Sequence, residues 1–76
     1  MQPNQRRAVI VTAALRLARE IGLARITHSD VAARCVLQTS TKTVKHYFPS
    51  RESLWRAILD DATPGEFDAQ RKEVGL

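Results

Sequence analysis

The chain has 76 residues, 43% of them hydrophobic, with 12 Lys and Arg against 8 Asp and Glu for a formal net charge of +4. That length buries one modest core and excludes a deep substrate cavity, so it describes a single small domain. Charge is unevenly placed: residues 1–59 carry ten basic and three acidic side chains, a balance of +7, whereas residues 60–76 carry two and five, a balance of −3. A basic body with a mildly acidic appendage suits a polyanionic partner.

Arg6-Arg7 followed by the apolar run from Ala8 to Leu15 has the outline of an export signal. Arg16 and Arg19 cut the run well short of the roughly 20 apolar residues a membrane span needs, so neither export nor a membrane partner is expected. The single Cys35 cannot close an internal disulfide, which fits a reducing cytoplasm.

In chain order, Ile10, Ala13, Ala14, Leu17, Ala18 and Ile21 recur at helical spacing and predict a first helix over about residues 5–21, ended by Gly22 in a left-handed turn. Arg16, Arg19 and Glu20 fall on its solvated face, and no function is assigned to them. Leu23 to Ile26 form a short connection. Thr27-His28-Ser29-Asp30 has the capping-box spacing of a hydroxyl followed three residues later by an acceptor, and it opens a second helix with Val31, Ala32 and Cys35 inward. Ser40 caps a third helix of about two turns, on which Val44, Tyr47 and Phe48 face inward and Thr41, Lys42, Lys45 and His46 are left outside. Pro49-Ser50 ends that helix and caps a fourth, which buries Leu54 and Ile58 with Ala57 beside them. Thr63-Pro64-Gly65 breaks the pattern, and the sparse apolar groups after it predict a mobile segment or a short extra helix that adds little stability.

The expected fold is therefore all-α, a small helical bundle with a helix-turn-helix: a homeodomain-like three-helix core plus the start of a fourth helix. A short helix whose outer face offers only donors and positive charge suits the acceptors and phosphates of a DNA major groove. Catalytic and metal readings fail on the residues available. His28, His46 and Cys35 are the only soft ligands where a structural zinc site takes four, no glycine-rich phosphate loop is present, and no acid/base pair stands with the serines and threonines. No enzyme activity, cofactor or metal is expected.

Residues 10–58 resemble the DNA-binding domain of the tetracycline-repressor (TetR) family of bacterial transcription regulators. The landmarks are Ile10, Ala13-Ala14, Gly22, Thr27, Val31-Ala32, Ser40, Thr43-Val44, the run Tyr47-Phe48-Pro49-Ser50-Arg51-Glu52, and Leu54. The resemblance implies sequence-specific binding of a double-stranded DNA operator, in the direction of repression, in a bacterial cytoplasm at the nucleoid. It implies that Thr27 donates to a phosphate at the start of helix 2, besides capping that helix. Lys42, Thr43 and Lys45 then read bases or backbone from the exposed face of helix 3, flanked by Ser40, Thr41 and His46. Each lysine reads guanine O6 or N7 or neutralises a phosphate. Tyr47 matches the family's phosphate-contacting aromatic, the alternative being a core tyrosine with an exposed hydroxyl, and Arg51 matches its phosphate-binding lysine. Arg6 and Arg7 extend as an arm toward the minor groove or belong to an unstructured terminus.

Three departures from the family pattern bear on these roles. Val31 to Phe48 is about two residues longer than usual, and Gln38-Thr39 stands where Gly-Val is expected before Ser40. Either helix 2 runs on through Val36 and Leu37, or the connection is a longer loop with Leu37 as its apolar pin. Lys45 replaces the first tyrosine of an aromatic pair, exchanging an aromatic donor for a mobile charge. Length is the third departure: residues 1–62 read as the DNA-binding domain and 63–76 as a linker or tail, with the family's ligand-sensing and dimerising domain absent, so the chain is a fragment or a short regulator. A full-length member is expected to be a homodimer and this chain alone a monomer or a weak self-associator. Trp55 then either packs on helix 1 or waits for a partner. The alternative function is a degenerate helix-turn-helix that serves as a protein-interaction module.

Overall fold

A computed structural model describes residues 3–36 and 38–76. Its elements are α1 (Pro3–Ile21), a single 3₁₀ turn (Leu23–Arg25), α2 (His28–Arg34), α3 (Thr41–Tyr47), α4 (Arg51–Asp61) and α5 (Asp68–Glu73). The fold is all-α, a small helical bundle in which α1 packs on α2 and α4, and α2 on α3. The largest side chains with no exposed surface, Ile10, Leu23, Ile26, Val31, Val44, Leu54 and Ile58, come from every segment between α1 and α4. The core is thus what orients the helix-turn-helix.

The first helix starts about two residues earlier than its apolar periodicity indicates. Proline is tolerated there because its missing N–H falls among the unpaired groups of the first turn. Arg6 and Arg7 are consequently helical and do not form an arm. Arg7 lies over the Phe48 ring, 5.1 Å from its centroid, and Arg6 Nη1 is 3.4 Å from both the Gln38 carbonyl oxygen and Thr39 Oγ1. Gly22 ends α1, donating its N–H to the Ala18 carbonyl at 2.8 Å, but at φ 90°, ψ 155° it leaves in an extended positive-φ conformation rather than a left-handed turn. Only glycine adopts that region at low cost.

Side-chain oxygens start the next three helices. Thr27 Oγ1 accepts the Asp30 N–H and Ser40 Oγ accepts the Thr43 N–H, each at 3.1 Å. The reciprocal capping box forms at α4 instead, where Ser50 and Ser53 each accept the other's backbone N–H at 3.1 Å. Each such cap contributes about 1 kcal/mol.

The longer-loop alternative holds for the turn. The second helix ends at Arg34, because Cys35 turns extended (φ −65°, ψ 136°) and residues 35–40 connect to α3. Without a glycine the connection has no cheap left-handed residue, and among the described residues only glycines have positive φ. Val36 is 83% exposed, so it does not continue the helix's inner face. The proposed pin, Leu37, lies outside the described residues.

The C-terminal segment differs most from expectation. The short extra helix is present as α5, but Phe67 just before it is 3% exposed and belongs to the core. Glu66 pairs with Arg19 at 2.5 Å and accepts the Thr63 N–H at 3.1 Å, and Gln70 Oε1 accepts the Leu23 N–H at 2.7 Å. Counting apolar residues correctly rules out a second core after residue 63, yet one aromatic is enough to join the first. Trp55 is half-buried and donates its indole N–H to the Leu23 carbonyl at 2.8 Å, against the 3₁₀ turn rather than a missing partner. Arg19 and Glu20, read as solvated, are both paired, Glu20 with Arg34 of α2 at 2.6 and 2.9 Å. No helix among the described residues is long and apolar enough to cross a membrane.

Removing the Phe67 ring should therefore cost about 3 kcal/mol, which in a domain of this size lowers Tm by about 10–20 °C. Thermal unfolding of Phe67→Ala followed by circular dichroism measures this, and a Tm within about 2 °C of the parent would show that the segment is not docked. A second expectation concerns acid. Hydrogen bonds from Arg19 and Arg34 hold the Glu66 and Glu20 carboxyls below their ordinary range. Stability from a lowered carboxylate is fully present above the unfolded value of about 4.3 and is lost as pH falls through the lower folded value. Denaturant midpoints should accordingly drop from about pH 4 downward, less steeply in Glu66→Gln and less steeply in high salt, because the pairs are exposed. An identical acid profile for the variant would remove Glu66 from the account.

Candidate nucleic-acid interface

The third helix spans seven residues, so its attitude depends on what it packs against more than on its own hydrogen bonds. Val44 and Phe48 are buried and Tyr47 is half-buried against the core. That fixes the opposite face. Lys42 and His46, one turn apart, sit at its centre, with Lys45 on one flank and Thr43 on the other. Lys42, Lys45 and His46 are exposed, and Thr43 is half-buried. Thr41, expected outside, is half-buried because it stands on the same side as Val44 one turn on. Ser40 is exposed, and its hydroxyl lies 3.0 Å from that of Thr43 while capping the helix.

A second group gathers around the start of α2. His28 Nε2 lies 2.6 Å from the Phe48 carbonyl oxygen, which brings the first turn of α2 against the end of α3. Thr27 and Tyr47 are the chain neighbours of that pair. Arg51 joins them from α4: its Nε donates to the Ile26 carbonyl at 3.3 Å and its Nη2 to the Ala24 carbonyl, with the guanidinium 5.2 Å from the Trp55 ring centroid. The His28–Phe48 and Arg51–Ile26 bonds thus tie α2, α3 and α4 together at positions next to Thr27 and Tyr47 in the chain. Thr27 Oγ1 accepts within its cap and keeps its own proton to donate, and Arg51 keeps three of its five N–H groups. The Tyr47 ring meets the edge of His46 at 5.3 Å and 85°.

Charge distinguishes α3 from the rest of the chain. No Asp or Glu lies between Asp30 and Glu52, a stretch that holds Arg34, Lys42, Lys45 and Arg51. Ion pairs form elsewhere: Arg19–Glu66, Arg34–Glu20 and Arg56–Glu52. Among the described residues neither Lys42 nor Lys45 takes part in one, so their charge is uncompensated on the exposed face of α3. A row of unpaired cations beside hydroxyl donors is complementary to phosphate and to the acceptor edges of bases.

Sequence reasoning considered His28 only as a metal ligand and missed it as a buried link between α2 and α3. The signal was available, since His28, Val31, Ala32 and Cys35 follow i, i+3, i+4, i+7 and put the histidine on the inner face. Arg6, Arg7 and Gln70 were missed for a different reason. Their partners lie far away in sequence, and nothing local marks the contact.

Comparison with known proteins gives the family. Neither the curated proteins nor the solved structures provide a significant match to the chain. The family model described as bacterial regulatory proteins, tetR family, matches residues 10–58, from the buried face of α1 through the helix-turn-helix to Ile58 of α4. That span covers more than half of the chain and includes both the α3 face and the cluster around Thr27. A domain of this family serves DNA-binding regulation of transcription, and the chain belongs to the tetR family of bacterial regulatory proteins.

Proposed function

We propose that this domain reads a specific double-stranded DNA operator with α3 in the major groove, and that its occupancy represses transcription in the bacterial cytoplasm. The observation that carries the reading is the exposed row of Lys42, Lys45 and His46 on a stretch free of acidic residues, backed by buried Val44 and Phe48. Lys42 and Lys45 meet guanine edges or the flanking phosphates, with Thr43 and His46 as shorter-range donors. Ser40 and Thr41 lie at the first turn of α3, where the chain crosses the groove's rim. Thr27, Tyr47 and Arg51 grip phosphates and so fix register without reading sequence.

Arg51 has a double duty in this account. Its bonds to the Ala24 and Ile26 carbonyls hold it at the start of α2 while its remaining N–H groups face outward to an anion. For assembly, the chain on its own is a monomer or associates weakly and occupies one half-site, and the homodimer belongs to full-length members.

Selection from a randomised duplex pool, followed by affinity and salt titrations on the enriched site, tests the proposal. Lys45→Ala should lose about 1–3 kcal/mol on the preferred site and less on a site altered at one base pair. Tyr47→Phe should weaken preferred and random duplex by the same factor and leave the preference intact. If Lys42 and Lys45 variants lose affinity equally on every sequence, both are phosphate contacts and α3 is not the reading element. Strong salt dependence must accompany binding, and if none of these variants alters it the protein-interaction module is the better account.

For Arg51→Ala a combined loss is expected. The salt slope should fall by about one and Tm should fall as well, since two backbone carbonyls lose their donor. Loss of DNA affinity with an unchanged Tm would leave Arg51 a phosphate contact and remove its anchoring role.

A further inference from the structure

We infer that His28 is the residue that positions the reading helix, acting through its ring N–H on the Phe48 carbonyl and never touching DNA. The inference rests on α3 being the reading element. The histidine is 8% exposed, the one polar side chain buried among the described residues, and its Nε2 lies 2.6 Å from the Phe48 oxygen. A carbonyl oxygen only accepts, so Nε2 carries the proton. The bond joins the first residue of α2 to the C-cap of α3 and spans twenty positions of chain.

The need for such a tie follows from the length of α3. The third helix is seven residues long and follows the connection 35–40, which contains no glycine. A helix this short takes its direction from the contacts made at its ends. At the entering end Arg6 offers two contacts at 3.4 Å, the outer limit for hydrogen bonds, to Gln38 and Thr39. At the leaving end Phe48 is clamped from both sides, by burial of its ring beneath Arg7 and by the short bond from His28 to its backbone. Burial alone resists withdrawal of the ring but is non-directional, whereas a hydrogen bond to a backbone oxygen fixes the rotation and tilt of the helix it ends. Lys42 and His46 lie on the opposite face of that same short helix, so a small rotation displaces them from the base edges before it exposes any core. Specificity is then more sensitive to this bond than affinity for random DNA is.

The test uses His28→Leu, which fills the space without a donor, with His28→Met in its place should the leucine variant not fold, and His28→Gln, whose side-chain amide nitrogen stands at the same reach as Nε2. All are compared at a temperature where each is folded by circular dichroism. Expected is a fall of about tenfold in the preference of the apolar variant for the selected site over a site altered at one base pair. Affinity and salt slope on random duplex should stay unchanged, and His28→Gln should restore the preference. Amide hydrogen exchange of free protein should quicken in Val44 to Phe48 of the apolar variant while α1 and α4 keep their protection. An apolar variant that keeps full preference, or a glutamine variant that loses as much as the apolar one, overturns the role of the N–H. So does unchanged exchange in α3. A parent chain that prefers no duplex sequence overturns the DNA-reading proposal itself and this role with it, an outcome distinct from a parent that discriminates and a variant that still does.

Discussion

Most of this domain depends on how five irregular residues, Leu23 to Thr27, have their backbone polar groups satisfied. Leu23 and Ile26 are fully buried while Arg25 and Thr27 are exposed, so the connection runs along the edge of the core with two side chains inserted into it. A buried backbone group without a partner costs about as much as a lost hydrogen bond, and a 3₁₀ turn of three residues cannot supply all the partners from within. Side chains from later helices fill the gap. The Leu23 N–H goes to Gln70, the Leu23 carbonyl to Trp55, and the Ala24 and Ile26 carbonyls to Arg51. The connection therefore ties α4 and α5 to the start of α2.

That arrangement interleaves structural residues with the candidate DNA contacts. Trp55 and Gln70 serve the turn, Arg51 serves it too while its guanidinium lies over the Trp55 ring, and Thr27 caps α2. In a chain of 76 residues there is little scaffold to separate the two tasks. Charge is unevenly placed as well: Glu20, Glu52 and Glu66 are engaged with arginines, and α3 itself carries no carboxylate. Such exposed pairs add little stability, but each offsets the charge of one carboxylate.

The C-terminal segment shows how a sparse sequence acquires a fixed place. Phe67 alone is buried, yet its neighbours Glu66 and Gln70 reach the end of α1 and the 3₁₀ turn, so a six-residue helix that would not persist in isolation is held by three separate anchors. The same logic applies to α3, where short length makes external anchors decisive.

What the sequence determined by itself were the features that depend on near neighbours. The helical spacing of Ile10 to Ile21, the hydroxyl caps Thr27, Ser40 and Ser50, the break at Gly22 and the split of α3 into apolar and cationic faces are local in origin, and each is found where the pattern puts it to within a residue or two. The tetR-family resemblance over residues 10–58 follows from those same landmarks. Only the tertiary structure decided where Arg6, Arg7, Arg51, Trp55, Gln70 and Phe67 go, and that His28 is a link rather than a ligand. Long polar side chains and single aromatics carry no periodicity of their own. Their places are set by which buried carbonyl, amide or core gap lies within reach once the helices have packed, and that is a property of the assembled bundle rather than of any local stretch of chain.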